Sequence, residues 1–123
     1  MNTYHEAIQK LNGKAKRKLE NNTYLESRSN GAIAVRLHET DIVVYFPGGR
    51  TVLHSGGWRT VTTKDRLNTY APIGIDTKNH IWYVTSYDQK TGYKKLGIYR
   101  DGIEIMPDGS ILNMVPLAEV KNQ

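Results

Sequence analysis

At Asn21-Asn22 the apolar residues of this chain change their period, and that change commits most of the remaining chain to strands. Before the pair, Tyr4, Ile8, Leu11, Ala15 and Leu19 recur at spacings of three and four, the repeat of one helical face. After it, Ile33, Val35 and Leu37 alternate with Ala34, Arg36 and His38, as in a strand with one buried face. Thr40 to Phe46 is apolar at Ile42, Val43, Val44, Tyr45 and Phe46, the pattern of a central strand covered on both sides.

Turn chemistry supplies the punctuation. Pro47-Gly48-Gly49 reverses the chain into Arg50 to His54, because glycine takes the positive φ of tight turns. Asp101-Gly102 and Pro107-Asp108-Gly109 are further turns, and the loop Asp88 to Gly92 separates strands at Ile81 to Tyr87 and Tyr93 to Tyr99. Short strands are expected at Ile103 to Met106 and Ser110 to Met114. Thr3 with Glu6 forms a capping box, which predicts an N-terminal helix over about residues 3–20. Within it Gly13 costs on the order of 1 kcal/mol relative to alanine, so Asn12-Gly13 is the place for a break. Thr62 to Asn68 reads as a short helix capped by Thr62 or Thr63, with Pro72 a barrier to its continuation. The expected fold is α+β, a strand-dominated antiparallel sheet with an N-terminal helix and one short internal helix. One domain covers 1–123, with a β-rich body over about 31–114 and frayed ends at Met1 and Lys121 to Gln123.

Composition narrows the chemistry. The chain has no cysteine, which removes disulfides, a thiol nucleophile and cysteine-ligated zinc. No apolar run approaches the roughly 20 residues that span a bilayer, so no membrane contact is expected. The N-terminus lacks the basic and apolar segments of a secretory signal, and a cytoplasmic protein is the default expectation. His5, His38, His54 and His80 match no metal-binding spacing, and neither a nucleophile elbow nor a P-loop occurs. A protein that is not an enzyme, with no cofactor and no metal, is expected. The net charge of +5 is concentrated in Lys10 to Lys18 and Arg50 to Arg66, which favours an anionic partner. Lys10 and Arg17 fall opposite the apolar stripe of the N-terminal segment, as either a solvated basic face or an anion-facing or subunit-facing one.

The stretch Ser55 to Asn68, SGGWRTVTTKDRLN, gathers the parts for holding a flat anion. Gly56 and Gly57 let backbone N–H groups approach oxygen; Arg59, Lys64 and Arg66 supply a planar fork or a point charge; Thr62 and Thr63 sit where a helix N-terminus favours phosphate. Arg28 and Arg36 add cations from the first strands. Trp58 and Trp82 are the candidates to stack a base, Trp58 the stronger because it follows two glycines and precedes an arginine. The plainer alternative is a glycine turn followed by an ordinary threonine cap, with the cations in water.

The segments NNTYLESRSNGAIAVRLHETDIVVYFPGGRTVLHSGGWRTVTTKDRLNTYAP and IWYV resemble a domain of small phage proteins, among them the first-described Thoeris anti-defence family. The resemblance covers about Asn21 to Val84, and SGGWRTVTTKDR is its most specific piece. It implies a non-enzymatic protein of the host cytoplasm, assembled as a hexamer. It further implies a partner of cyclic nucleotide type: a cyclic ADP-ribose signal made by bacterial TIR proteins, or a cyclic oligonucleotide of a related defence system. Two alternatives from the residues stand beside it, a single-stranded nucleic-acid-binding module and, third, a phosphodiesterase or nucleotide hydrolase.

Overall fold

In the computed structural model, which describes residues 1–117, the first helix is less than half the expected length. Helix α1 spans Tyr4–Leu11, opened by Thr3, whose hydroxyl accepts the N–H of Glu6. Asn12 ends it in the left-handed conformation at φ 50° and Gly13 follows at φ 82°. Two successive left-handed residues cannot continue a right-handed helix. The Arg17 guanidinium then donates to the carbonyl of Lys10 at 2.9 Å, satisfying one of the acceptors the helix leaves open.

The residues expected to continue the helix instead form strand β1, Lys16–Glu20, which pairs antiparallel with β2, Thr23–Ser27. Asn21-Asn22 is therefore a hairpin turn, with Asn22 at φ 54°, rather than the end of a helix. The spacing of Ala15 and Leu19 satisfied a helical repeat by coincidence. As a strand, the same segment still packs Leu19 against the core.

Strands β3 (Ile33–Leu37), β4 (Thr40–Tyr45) and β5 (Thr51–Leu53) extend the meander. The chain then leaves for α2, Val61–Tyr70, and for β6 (Gly74–Lys78), β7 (Ile81–Asp88) and β8 (Gly92–Ile98). It returns as β9 (Ile103–Ile105), which pairs with β5, followed by β10 (Ile111–Leu112) and β11 (Val115–Pro116). Two antiparallel sheets result, one of seven strands in the order β1-β2-β3-β4-β5-β9-β10 and one of four in the order β11-β8-β7-β6. The α+β, strand-dominated antiparallel class with an N-terminal helix and one short internal helix is the observed one, built as two sheets. The expected fraying at Lys121 to Gln123 lies outside the described residues.

One apolar cluster joins all layers. Leu25, Val35, Val43 and Leu53 come from the larger sheet, Ile75, Trp82 and Val84 from the smaller, Leu67 and Tyr70 from α2, and Ala7 and Leu11 from α1. Helix α2 is fastened to both sides of this cluster. The Tyr45 hydroxyl donates to the Tyr70 carbonyl, the Tyr70 hydroxyl donates to Glu20, and Asn68 exchanges two hydrogen bonds with the backbone of Ile75. These ties anchor the C-terminal end of α2. Among the described residues, no helix is long and apolar enough to cross a membrane.

Candidate functional site

Two hairpin turns lie side by side at one end of the larger sheet. His38, at φ 52°, begins the β3–β4 turn, and its N–H donates to the carbonyl of Asn22 in the β1–β2 turn at 2.9 Å. Facing them is the segment from Ser55 to Thr63. The space between is a cleft of about 750 Å³, lined on its floor by Leu37 and Ile42 and on its walls by Asn21, Asn22, His38, Glu39, Trp58, Thr60, Thr62, Thr63 and Arg66. That volume falls within the roughly 300–1,000 Å³ of small-molecule sites.

Trp58 owes its position to a rigid turn. Asp101 accepts the Ser55 N–H at 2.7 Å and the Ser55 hydroxyl at 3.0 Å, and it also accepts the Tyr99 hydroxyl at 2.8 Å. Ser55 passes this hold forward: its hydroxyl oxygen accepts the Gly57 N–H and its carbonyl accepts the Trp58 N–H. Gly56 and Gly57 occupy φ 64° and 83°, and a Cβ on Gly56 would stand 2.5 Å from the Thr40 hydroxyl oxygen. The turn thus needs glycine at Gly56 for both conformation and space. Its product is an indole 66% exposed, on the wall of the cleft.

Burial works against ionisation of Asp101. The hydrogen bonds from Tyr99 and from both donors of Ser55, with the Arg59 guanidinium nearby, outweigh it and hold the carboxyl below the ordinary aspartate value. Burial, together with the hydrogen bond to Asp101, pushes the Tyr99 hydroxyl far up, so it stays a donor at neutral pH.

The N-cap of α2 is Thr60, not Thr62 or Thr63: its hydroxyl accepts the Thr63 N–H at 3.2 Å. The N–H groups of Val61 and Thr62 in the first turn have no hydrogen-bond acceptor among the described residues. Arg66, seven-eighths buried at 13% side-chain exposure, is held by Thr23 through Nε at 2.9 Å and by Glu20 and Asp65 through Nη1 at 3.1 and 2.7 Å. It forms one wall with its charge already shared.

The structure therefore divides the expected site residues. Trp58, Thr62, Thr63 and Arg66 meet at the cleft, and Gly56 and Gly57 shape the turn that delivers Trp58. Arg59 lies on the other side of that turn, its guanidinium 4.9 Å from the Trp82 ring and 4.7 Å from the Tyr99 ring. Trp82 is only 5% exposed beneath it and belongs to the core. Lys64 is half-buried on α2 and does not line the cleft. Arg28 binds Asp41 through two nitrogens, at 2.6 and 3.0 Å, and reaches Glu26 at 3.2 Å, while Arg36 pairs with Glu26 at 2.6 Å and stacks over Tyr24. The hydrogen bonds that Arg28 donates to Asp41 raise the Arg28 pKa further above its ordinary value, and both cations belong to an ion-pair ladder on the sheet.

Sequence reasoning missed Asn21, Asn22, His38, Glu39, Thr60 and Asp101. For Asn22 and His38 a signal existed, since asparagine and histidine are the non-glycine residues that enter the left-handed region most readily. For Asp101 there was none, because its partner is 46 residues away.

Fold and site together define a small two-sheet α+β protein with a tryptophan-walled cleft at the turn end of its larger sheet. The chain belongs to the Kyanoviridae Gp96 protein family, whose model matches residues 2–105, and it is therefore a phage protein. No curated protein and no solved structure matches it.

Proposed function

We propose that this phage protein sequesters a cyclic adenine-nucleotide immune signal, a cyclic ADP-ribose isomer or a cyclic oligonucleotide, without cleaving it. The observation that carries the reading is the Trp58 indole, mostly in water on a backbone held by the Ser55–Asp101 tie, on the wall of a cleft of nucleotide size. An exposed aromatic face carried on an ordered turn offers a purine stacking energy without first ordering the backbone beneath it. Phosphate oxygens would be met by the exposed Thr62 hydroxyl, the first N–H groups of α2 and Arg66. Arg59 and Lys64 have no part in it, so neutral donors carry more of the recognition than the count of cations suggests.

Sequestration succeeds by occupancy. Nanomolar affinity corresponds to about −12 kcal/mol, which a small ligand reaches only in a pocket that encloses most of its surface. Assembly into a homo-oligomer, a hexamer by the resemblance, would cover the open side of the cleft. The test is to incubate the protein with each cyclic ADP-ribose isomer, remove unbound material, heat-denature and analyse the release by mass spectrometry. Intact signal, retained by the wild type and lost from Trp58→Ala, is expected. A cleaved product, or retention unaffected by Trp58→Ala, overturns the reading.

A further inference from the structure

Away from the cleft, the tip of the β7–β8 hairpin holds two aromatic rings in water, outside the core. Tyr87 and Tyr93 pair across the strands with ring centroids 5.0 Å apart and planes inclined at 59°. They are 63% and 81% exposed. Alternation along β7 puts Tyr83, Thr85 and Tyr87 on one face. In keeping with that face, Lys95, paired across from Thr85, sets its Nζ 4.4 Å from the Tyr83 ring. Tyr87, Tyr93, Lys94 and Lys95 line a groove of about 920 Å³ whose far side is Asn68 and Gly74. It has no residue in common with the Trp58 cleft.

Charge on this face is tilted one way. Lys90, Lys94 and Lys95 at the tip outnumber the nearby carboxylates, Asp88, which accepts the N–H groups of Lys90 and Thr91, and Asp76, which accepts that of Thr77, and both of these stay charged. Exposed tyrosines among lysines, threonine and asparagine suit a ligand with flat apolar faces and a regularly charged thread.

We propose that this face binds single-stranded nucleic acid, with successive bases stacked on Tyr87 and Tyr93 and the phosphates against Lys94 and Lys95. Rings inclined at 59° cannot sandwich one base, but each presents a face to a different base. A duplex hides its base faces in its own stack, so only an unpaired strand can use both rings. Lysine is depleted from protein–protein interfaces, whereas Lys94 and Lys95 line this groove beside the tyrosines, together with the apolar Ala71, Pro72, Ile73 and Ile75. This binding is independent of whatever occupies the cleft.

The test is fluorescence anisotropy on the full chain with labelled oligothymidylate and oligouridylate of about 12 nucleotides. An abasic strand of equal length and charge and a matching duplex serve as comparisons. The unpaired strands should bind about tenfold or more tighter than the abasic one, and Tyr87→Ala/Tyr93→Ala should abolish that difference. Lys94→Ala/Lys95→Ala, which leaves the rings in place and serves if the tyrosine variant fails to fold, should reduce the salt slope by about 0.7 per lysine. Trp58→Ala should change none of these values. Equal affinity for base-bearing and abasic strands, a preference for duplex, or no binding at low salt overturns the proposal. So does a protein partner held by the wild-type hairpin in the absence of oligonucleotide binding.

Discussion

Asp101, in the turn after β8, accepts both the N–H and the hydroxyl of Ser55, 46 positions earlier, and through that one residue the smaller sheet's return strand fixes the turn that carries Trp58. Asp101→Asn keeps the shape but turns one acceptor into a donor facing the Ser55 N–H or hydroxyl. A loss of about 1–3 kcal/mol in urea unfolding is expected, with Ser55→Ala at the lower end of that range. The pH dependence has a definite sign. Because the folded carboxyl titrates below the ordinary aspartate value of about 3.9, its stabilisation is complete above that pH and is lost as pH falls through the folded value. Thermal melts of the wild type should therefore fall more steeply below about pH 4 than those of Asp101→Asn.

The adjacent glycines separate conformation from space. At Gly57 an added methyl meets nothing within 4 Å, so Gly57→Ala carries only the left-handed penalty of about 1–2 kcal/mol. At Gly56 the same methyl meets the Thr40 hydroxyl at 2.5 Å, and Gly56→Ala should cost more than Gly57→Ala by about 1 kcal/mol or above. Chemical denaturation of the two variants side by side decides it, and equal losses would show that Thr40 yields freely.

Trp58 should separate binding from stability. Truncating a side chain that is mostly in water changes folding free energy by about 0.5 kcal/mol or less. Removing a stacking face from a bound purine costs about 1–3 kcal/mol, or roughly tenfold and more in affinity. Calorimetric titration of the cyclic ligand into Trp58→Ala, beside a thermal melt of the same sample, reads both. A variant that loses stability in step with affinity would place Trp58 among the structural residues instead.

The arginines divide by partner. Arg28→Ala and Arg36→Ala remove partly exposed ion pairs from the sheet, worth about 1 kcal/mol each, and should leave ligand retention unchanged. Arg66→Ala strips the hydrogen bonds to Thr23, Glu20 and Asp65 from a mostly buried guanidinium, and a loss of about 1.5–3 kcal/mol is expected together with weakened retention. Arg66→Lys keeps the charge without the fork, so it should recover only part of either.

The legible parts of this fold were those decided by neighbours in the chain. Thr3 with Glu6, the alternation from Ile33 to Leu37 and the glycine turns each rest on interactions spanning a few residues, and each stands where it was expected. The segment Lys16–Glu20 misled because five residues with one apolar position fit either period, and pairing with β2 settled the matter. Glycine at Gly56 and the exposure of Trp58 were likewise readable from SGGW, a turn with a bulky residue that has no strand to enter.

By itself the sequence determined where the chain turns, which segments alternate, and that cations and an indole crowd into Ser55 to Asn68. Only the tertiary structure decided which of those groups face the same space. Arg59 and Arg66 would share a face if one helix carried both, but α2 begins at Val61, after Arg59, and the two guanidinium groups reach different partners. Turn and cap preferences are local energies written into adjacent residues, whereas the direction of a long side chain is set by whatever ring or carboxylate the distant chain brings within reach.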